Sequence, residues 1–139
     1  MSVLFKGGTI VNATGRYLAD VFADGSTIKA IGTDLDNPAD EIVDAKGKYI
    51  LPGAIDPHTH ISMPFMGTHA QDNYETGTIA AACGGVTCVV DFDLQQKGET
   101  LFEALERKKA LAEGKVCVDY SLHPAIMDPR PDVIAEVKK

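Results

Sequence analysis

From residue 50 onward, apolar runs of strand length alternate with amphipathic stretches of helix length, and this alternation restricts the fold more than any other feature of the chain. Ile50–His60 reads as a strand. Asn73–Cys83 follows as a helix, with Ile79, Ala82 and Cys83 on one side and Gly84-Gly85 as its stop. Val86–Phe92 is almost continuously apolar, as a strand buried on both faces of a parallel sheet must be. Glu99–Glu113 carries the clearest helical signal. Leu101, Leu105, Lys108 and Ala112 keep helical spacing, Thr100 is an N-cap candidate and Gly114 ends the pattern. Its charged residues, Glu103, Glu106, Arg107, Lys108, Lys109 and Glu113, are assigned to a solvated surface. Val116–Leu122 reads as a third strand, and Asp132–Lys139 as a third helix opened by Asp128-Pro129-Arg130-Pro131. Three strand–helix pairs in series predict the α/β class, with βα units on a parallel sheet.

The first fifty residues follow a different period. Short strands at Val3–Lys6, Thr9–Asn12, Leu18–Ala23, Thr27–Ile31 and Glu41–Val43 are separated by Gly7-Gly8, Thr14-Gly15, Asp24-Gly25 and Asp34–Pro38. Asp24-Gly25-Ser26 predicts a tight hairpin, because glycine supplies the positive φ such turns need. The expected boundary separates an all-β module, 1–50, from the βα units, 51–139. The module is too small to close a sandwich by itself, and three βα units complete neither a barrel nor a doubly wound sheet. The expectation is therefore the front portion of a larger protein. Alone, these residues would expose faces meant for missing strands, and are expected to be inactive and prone to associate.

Thirteen basic and twenty acidic residues give a net charge of −7. With no Lys/Arg stripe, a nucleic-acid partner is not expected. No apolar run approaches the ~20 residues that cross a bilayer, and Met1–Lys6 lacks a secretory pattern. A cytoplasmic location without membrane attachment is the expectation. Cys83, Cys88 and Cys117 fit no Cys-x-x-Cys spacing and sit in apolar segments, so they are read as reduced, buried thiols.

Chemistry concentrates in Asp56-Pro57-His58-Thr59-His60. Alternate side chains of a strand share a face, which would group Asp56, His58 and His60. Two strand steps separate the histidine Cα atoms by roughly 6–7 Å, a bite from which two neutral imidazoles reach one metal ion at ~2.0–2.1 Å. Two histidines do not complete a hydrolytic centre, and no obvious further set follows. Pro57 is anomalous, since proline cannot donate to a central ladder.

Leu51–His60, with its closing Asp56-Pro57-His58-Thr59-His60, resembles the amidohydrolase superfamily. His58–Thr68, Asn73–Thr87, Val90-Asp91-Phe92 and Val118–His123 narrow the resemblance to the hydantoinase/dihydropyrimidinase group. The resemblance implies a (β/α)8 TIM-type barrel whose first three βα units lie at 51–139, preceded by part of a small β-sandwich at 1–50. It implies two divalent metal ions, usually zinc, at the C-terminal ends of the barrel strands, and hydrolysis of a cyclic amide to an N-carbamoyl amino acid. Bound metal lowers the pKa of water and polarises the carbonyl. Family members are usually homotetramers.

Of the implied ligands only the first-strand pair maps here, as His58 and His60. A carboxylated lysine, two histidines and an aspartate complete the family's site. Lys138 and Lys139 fall in a helical pattern and are not that lysine. No residue is assigned a proton-transfer role. Asp56, Asp91 and His123 are candidates to support the ligands from behind. Met63 and Phe65, in the loop after the first strand, are candidates to line the pocket for the substrate's exocyclic group; His69 is read as a solvated loop residue. Allantoinase and dihydroorotase are rival cyclic amidohydrolases, but dihydroorotase-like chains carry an arginine soon after the histidine pair, where this chain has apolar Ile61–Phe65. A catalytically silent scaffold of dihydropyrimidinase fold is the rival outside the enzymes.

Overall fold

The computed structural model describes residues 1–137, apart from the side chain of Phe65. Lys138 and Lys139, and the end of the expected third helix with them, lie outside the described residues. The chain divides into two compact units, with the break between Pro52 and Gly53.

The first unit holds β1 (Ser2–Asn12), β2 (Gly15–Asp24), β3 (Thr27–Gly32), β4 (Glu41–Asp44) and β5 (Tyr49–Ile50). The sheet order is β3-β2-β1-β4, with β5 also on β1. The hairpin partners are antiparallel, whereas β4 and β5 run parallel to β1. The Gly25-Ser26 hairpin is present, with Gly25 at φ 58°. Gly7-Gly8 does not separate two strands. It forms an irregularity inside one long strand, where the register with β2 shifts between Phe5 and Gly8 and Gly7 adopts φ 70°. Ile10, Ala19 and Val21 form the core, with Phe5 and Ile50 packed against them.

Asp20 holds this irregularity in place. Its carboxylate accepts from Gly7 N (2.7 Å) and Leu35 N (3.0 Å) and pairs with Lys6 Nζ at 2.8 Å. One side chain thereby satisfies two backbone donors that no strand ladder serves.

The second unit begins with β6 (Ala54–Thr59). A small hairpin, β7 (Pro64–Phe65) and β8 (Thr68–His69), leads to α1 (Tyr74–Cys83), β9 (Val86–Leu94), α2 (Leu101–Ala112), β10 (Asp119–Ala125) and α3 (Pro131–Glu136). β6, β9 and β10 form one parallel sheet with β9 in the middle. The helix starts follow the local chemistry. Asn73 caps α1 reciprocally with Thr76, and Thr100 caps α2 reciprocally with Glu103.

Several expectations need correction. Ile50 belongs to the first sheet, so the expected strand Ile50–His60 is broken at Leu51-Pro52-Gly53. The ladder of β10 starts at Asp119 rather than Val116. Val116 and Val118 instead pack against the core of Ile61, Tyr74, Val89 and Ala112, since an apolar run marks burial and not pairing. In α1 the buried side chains are Tyr74 and Thr78, not Ile79 and Cys83. The thiols are not buried among the described residues: Cys83 and Cys117 are exposed, and Cys88 is half-buried because Val89, Asp91 and Asp93 take the buried face of β9. Among the described residues no helix is long and apolar enough to cross a membrane.

The bond from Lys6, with that from Gly7, holds the Asp20 carboxyl below the ordinary 3.8. A depressed folded pKa contributes stability above the unfolded value and loses it as pH falls through the folded value. Chemical denaturation of wild type and Asp20→Asn should therefore show wild type more stable at neutral pH, with the gap closing below about pH 3.8. A gap independent of pH would show that the charge contributes nothing.

Candidate metal centre

The face of β6 that carries the histidines is shaped by a bulge. Asp56 pairs with Val89 and Thr59 with Asp91, so β6 spends three residues where β9 spends two. Pro57 lies in that extra step, where no ladder donor is needed, which accounts for a proline in this strand. The bulge also breaks the simple alternation from Asp56 onward. The Asp56 carboxylate accepts from the backbone N–H of His58 at 3.2 Å. Asp56 thereby supports the backbone that carries one of the imidazoles.

His58 and His60 converge. Their Nε2 atoms lie 3.0 Å apart, and the rings stack at a centroid distance of 5.1 Å. Two nitrogens of a tetrahedral zinc ion, each at ~2.05 Å, are separated by about 3.3 Å. Both side chains are exposed. Two imidazole nitrogens meeting at that spacing fit a divalent metal ion as a pair of ligands. No group of three or more histidine, cysteine, aspartate or glutamate residues suited to holding a metal occurs among the described residues. The geometry is that of half a site.

Phe92 was not singled out by the sequence reading, yet it touches both rings. Its centroid is 4.5 Å from that of His58 and 5.6 Å from that of His60. On its other side it contacts His123 at 5.3 Å. Neighbouring residues of β9 point to opposite faces. Phe92 therefore meets the imidazoles, whereas Asp91 and Asp93 turn toward the helices and are buried.

Asp91 is fully buried and accepts four donors. Thr59 Oγ1 (3.0 Å) and Ile61 N (2.8 Å) reach Oδ1, and Tyr74 OH (2.8 Å) and Lys108 Nζ (2.9 Å) reach Oδ2. Lys108 also donates to Ile61 O at 2.5 Å and lies over the Tyr74 ring, 5.4 Å from its centroid. Burial and the bond to Asp91 push the Tyr74 phenol well above its ordinary value, so it stays a donor. Lys108 is only 2 % exposed. Its assignment to the solvated face is thus overturned, and the helical spacing that aligned it with Leu101 and Ala112 was the better guide.

The loop after β6 presents Met66, 90 % exposed, and buries Met63 at 3 %. Met63 borders a cavity of about 200 Å³ with Ser62, Asp93, Arg107 and Met127. Phe65 lies in β7, and its side chain is outside the described residues. His69 is exposed. Asp93 differs from Asp91: it has Arg107 at 3.2 Å on Oδ1, while Oδ2 has no partner among the described residues. Burial raises its carboxyl above the ordinary value despite the guanidinium.

Residues 49–133 match the amidohydrolase family, and the chain belongs to it. It is 48 % identical over its whole length to the D-hydantoinase of Geobacillus stearothermophilus and 45 % identical over 129 residues to the dihydropyrimidinase of Rattus norvegicus. These matches cover 30 % and 25 % of those proteins. The crystal structure of dihydropyrimidinase from Brevibacillus agri superimposes with a TM-score of 0.94 at 47 % identity, over 99 % of this chain and 30 % of that one. The chain thus spans under a third of the length of these relatives, and its resemblance to the hydantoinase/dihydropyrimidinase group extends over all of it.

The two buried aspartates should respond differently to substitution. Asp91→Ala strands the Lys108 ammonium and is expected to cost ~3–5 kcal/mol, as removal of one partner of a buried pair does. Asp93→Asn should cost much less at pH 7. A raised folded pKa means that ionised Asp93 opposes folding at neutral pH, a penalty that fades as pH falls through the folded value. Urea unfolding of both variants measures this, and equal losses would contradict it.

Proposed function

We propose that these residues serve a metal-dependent cyclic amidohydrolase of the hydantoinase/dihydropyrimidinase type, with His58 and His60 as two of the ligands. The observation that carries the reading is the 3.0 Å approach of the two Nε2 atoms beyond the C-terminal end of β6, in a chain of the amidohydrolase family. In this reading residues 51–139 are the first βα units of a (β/α)8 barrel, and 1–50 are part of a small β-sandwich. The strand-end location of the histidines agrees with the face on which such barrels build their sites.

His58 and His60 would supply two of the ligands of a site for two divalent ions, zinc by preference, and the rest of the ligand set is not met by the described residues. Bound metal would supply Lewis-acid polarisation of the amide carbonyl and would lower the pKa of water. Phe92 packs against both rings and restricts their rotation, and Asp56 fixes the backbone of His58. His123 borders the same aromatic cluster through Phe92 and is proposed to support it. The loop 61–69 flanks the site, and Met63 and Phe65 are proposed to set the room for an exocyclic substituent. The apolar Ile61–Phe65 stretch, with no arginine, supports an uncharged cyclic amide over dihydroorotate. The functional unit is proposed to be a homotetramer.

The test uses the protein at its natural length, established first by intact mass. A mass near 14.8 kDa would make the enzyme reading one of ancestry, whereas a mass several-fold larger lets the assay decide. Hydantoin and 5,6-dihydrouracil opening is then followed beside allantoin and dihydroorotate. Loss of groups that merely orient metal ligands costs 10–100-fold. His58→Ala and His60→Ala should therefore each lower kcat/KM by more than about 100-fold and reduce bound metal measured by elemental analysis. A natural-length protein that holds no divalent metal and opens no ring would support the silent-scaffold alternative instead.

A further inference from the structure

We infer that Asp91 and Lys108 form a positioning clamp on the Ile61 peptide, and that this clamp sets how His58 and His60 meet a metal ion; the inference rests on the proposed metal-centre reading. The residue after His60 is gripped on both sides, through the two successive peptide groups that flank its Cα. Its N–H donates to Asp91 Oδ1 at 2.8 Å, and its carbonyl accepts from Lys108 Nζ. The same Oδ1 takes the hydroxyl of Thr59, the residue between the two histidines. The residues on both sides of His60 are therefore tied to one carboxylate oxygen, Ile61 through its backbone N–H and Thr59 through its side-chain hydroxyl.

Three further facts make this more than a core ion pair. The next residue, Ser62, has φ 49°, in the left-handed region that a non-glycine side chain adopts only when its surroundings impose it. Thr59 is the last residue of β6, so beyond it no ladder holds His60. The clamp residues come from β9 and α2, both regular elements, and they lie beneath the strand rather than in the loop. Asp91 and Lys108 touch no imidazole. They act through the Ile61 peptide, and their effect on chemistry is positional.

The bonding pattern supplies its own control. Tyr74 donates to Oδ2 of the same carboxylate and makes no hydrogen bond to Ile61 or Thr59; its ring packs in the core cluster with the Ile61 side chain, and a phenylalanine keeps that ring. Tyr74→Phe therefore removes one bond to Asp91 and leaves the His60 backbone held. Thr59→Val removes one bond on the oxygen that holds that backbone, and Lys108→Met releases the Ile61 carbonyl.

The experiment titrates the metal-free, natural-length protein and its variants with Co2+, reading the visible ligand-field spectrum and competition with a chelator. Thermal melting is recorded alongside. Thr59→Val and Lys108→Met should weaken Co2+ binding by about 10–100-fold, the usual range for groups that orient ligands, and alter the spectrum. Tyr74→Phe should lower the melting temperature while leaving affinity within about twofold. If Lys108→Met does not fold, Thr59→Val against Tyr74→Phe decides alone. Equal Co2+ affinity in Thr59→Val and wild type overturns the clamp, as does a loss in Tyr74→Phe that matches the loss in Thr59→Val. Wild-type Co2+ binding that His58→Ala leaves unchanged overturns the metal-centre reading itself and the clamp with it.

Discussion

A carboxylate with no access to water and four donors around it organises the second unit. Asp91 draws together the end of β6 through Thr59 and Ile61, the start of α1 through Tyr74, and the middle of α2 through Lys108. An isolated buried charge would cost several kcal/mol after relaxation. Here the opposite charge lies at 2.9 Å, and the remaining acceptor capacity is filled. Such a pair contributes little net stability compared with apolar residues of equal volume. What it supplies is direction. Each donor must approach a fixed oxygen, so three elements take one relative placement, whereas apolar contacts alone would tolerate several.

Much of this unit was legible in the sequence, and the part that was not has a common cause. Thr100 and Gly114 bracketed α2, and Asn73 and Gly84 bracketed α1, because capping chemistry is local and written in adjacent residues. The pair His58 and His60 was legible for the same reason, lying two residues apart at the end of a strand. Lys108 was harder. Its spacing placed it with Leu101 and Ala112 on the buried stripe, while its charge argued for solvent. Burial of a lysine becomes favourable only when a distant carboxylate awaits it, and Asp91 lies seventeen positions away on another element.

Two other discrepancies trace to backbone geometry. A proline inside an otherwise good strand is the mark of a bulge, and Pro57 occupies one. The extra residue changes the alternation between Asp56 and Thr59, a step that an unbroken strand would not contain. In β1 the Gly7-Gly8 pair looked like a turn, yet the strand continues because Asp20 satisfies the Gly7 N–H. In both strands a side chain receives a backbone donor that the ladder leaves over.

The parity of β9 joins these observations into one design. Asp91 and Phe92 are neighbours, and a strand sends neighbours to opposite faces. Phe92 therefore packs on the imidazoles of His58 and His60 from the open side, while Asp91 fastens the backbone of the same segment from the helix side. A histidine just past a strand end has lost the ladder that would otherwise hold its backbone, and an exposed histidine ring turns freely unless something opposes it. One dipeptide meets both needs, with an aromatic face against ring rotation and a carboxylate against backbone drift. Substitutions at the two positions should consequently act on different degrees of freedom of the same pair of histidines. That separation follows from the two-residue period of the strand, and it would be lost if the register of β6 against β9 slipped by a single residue.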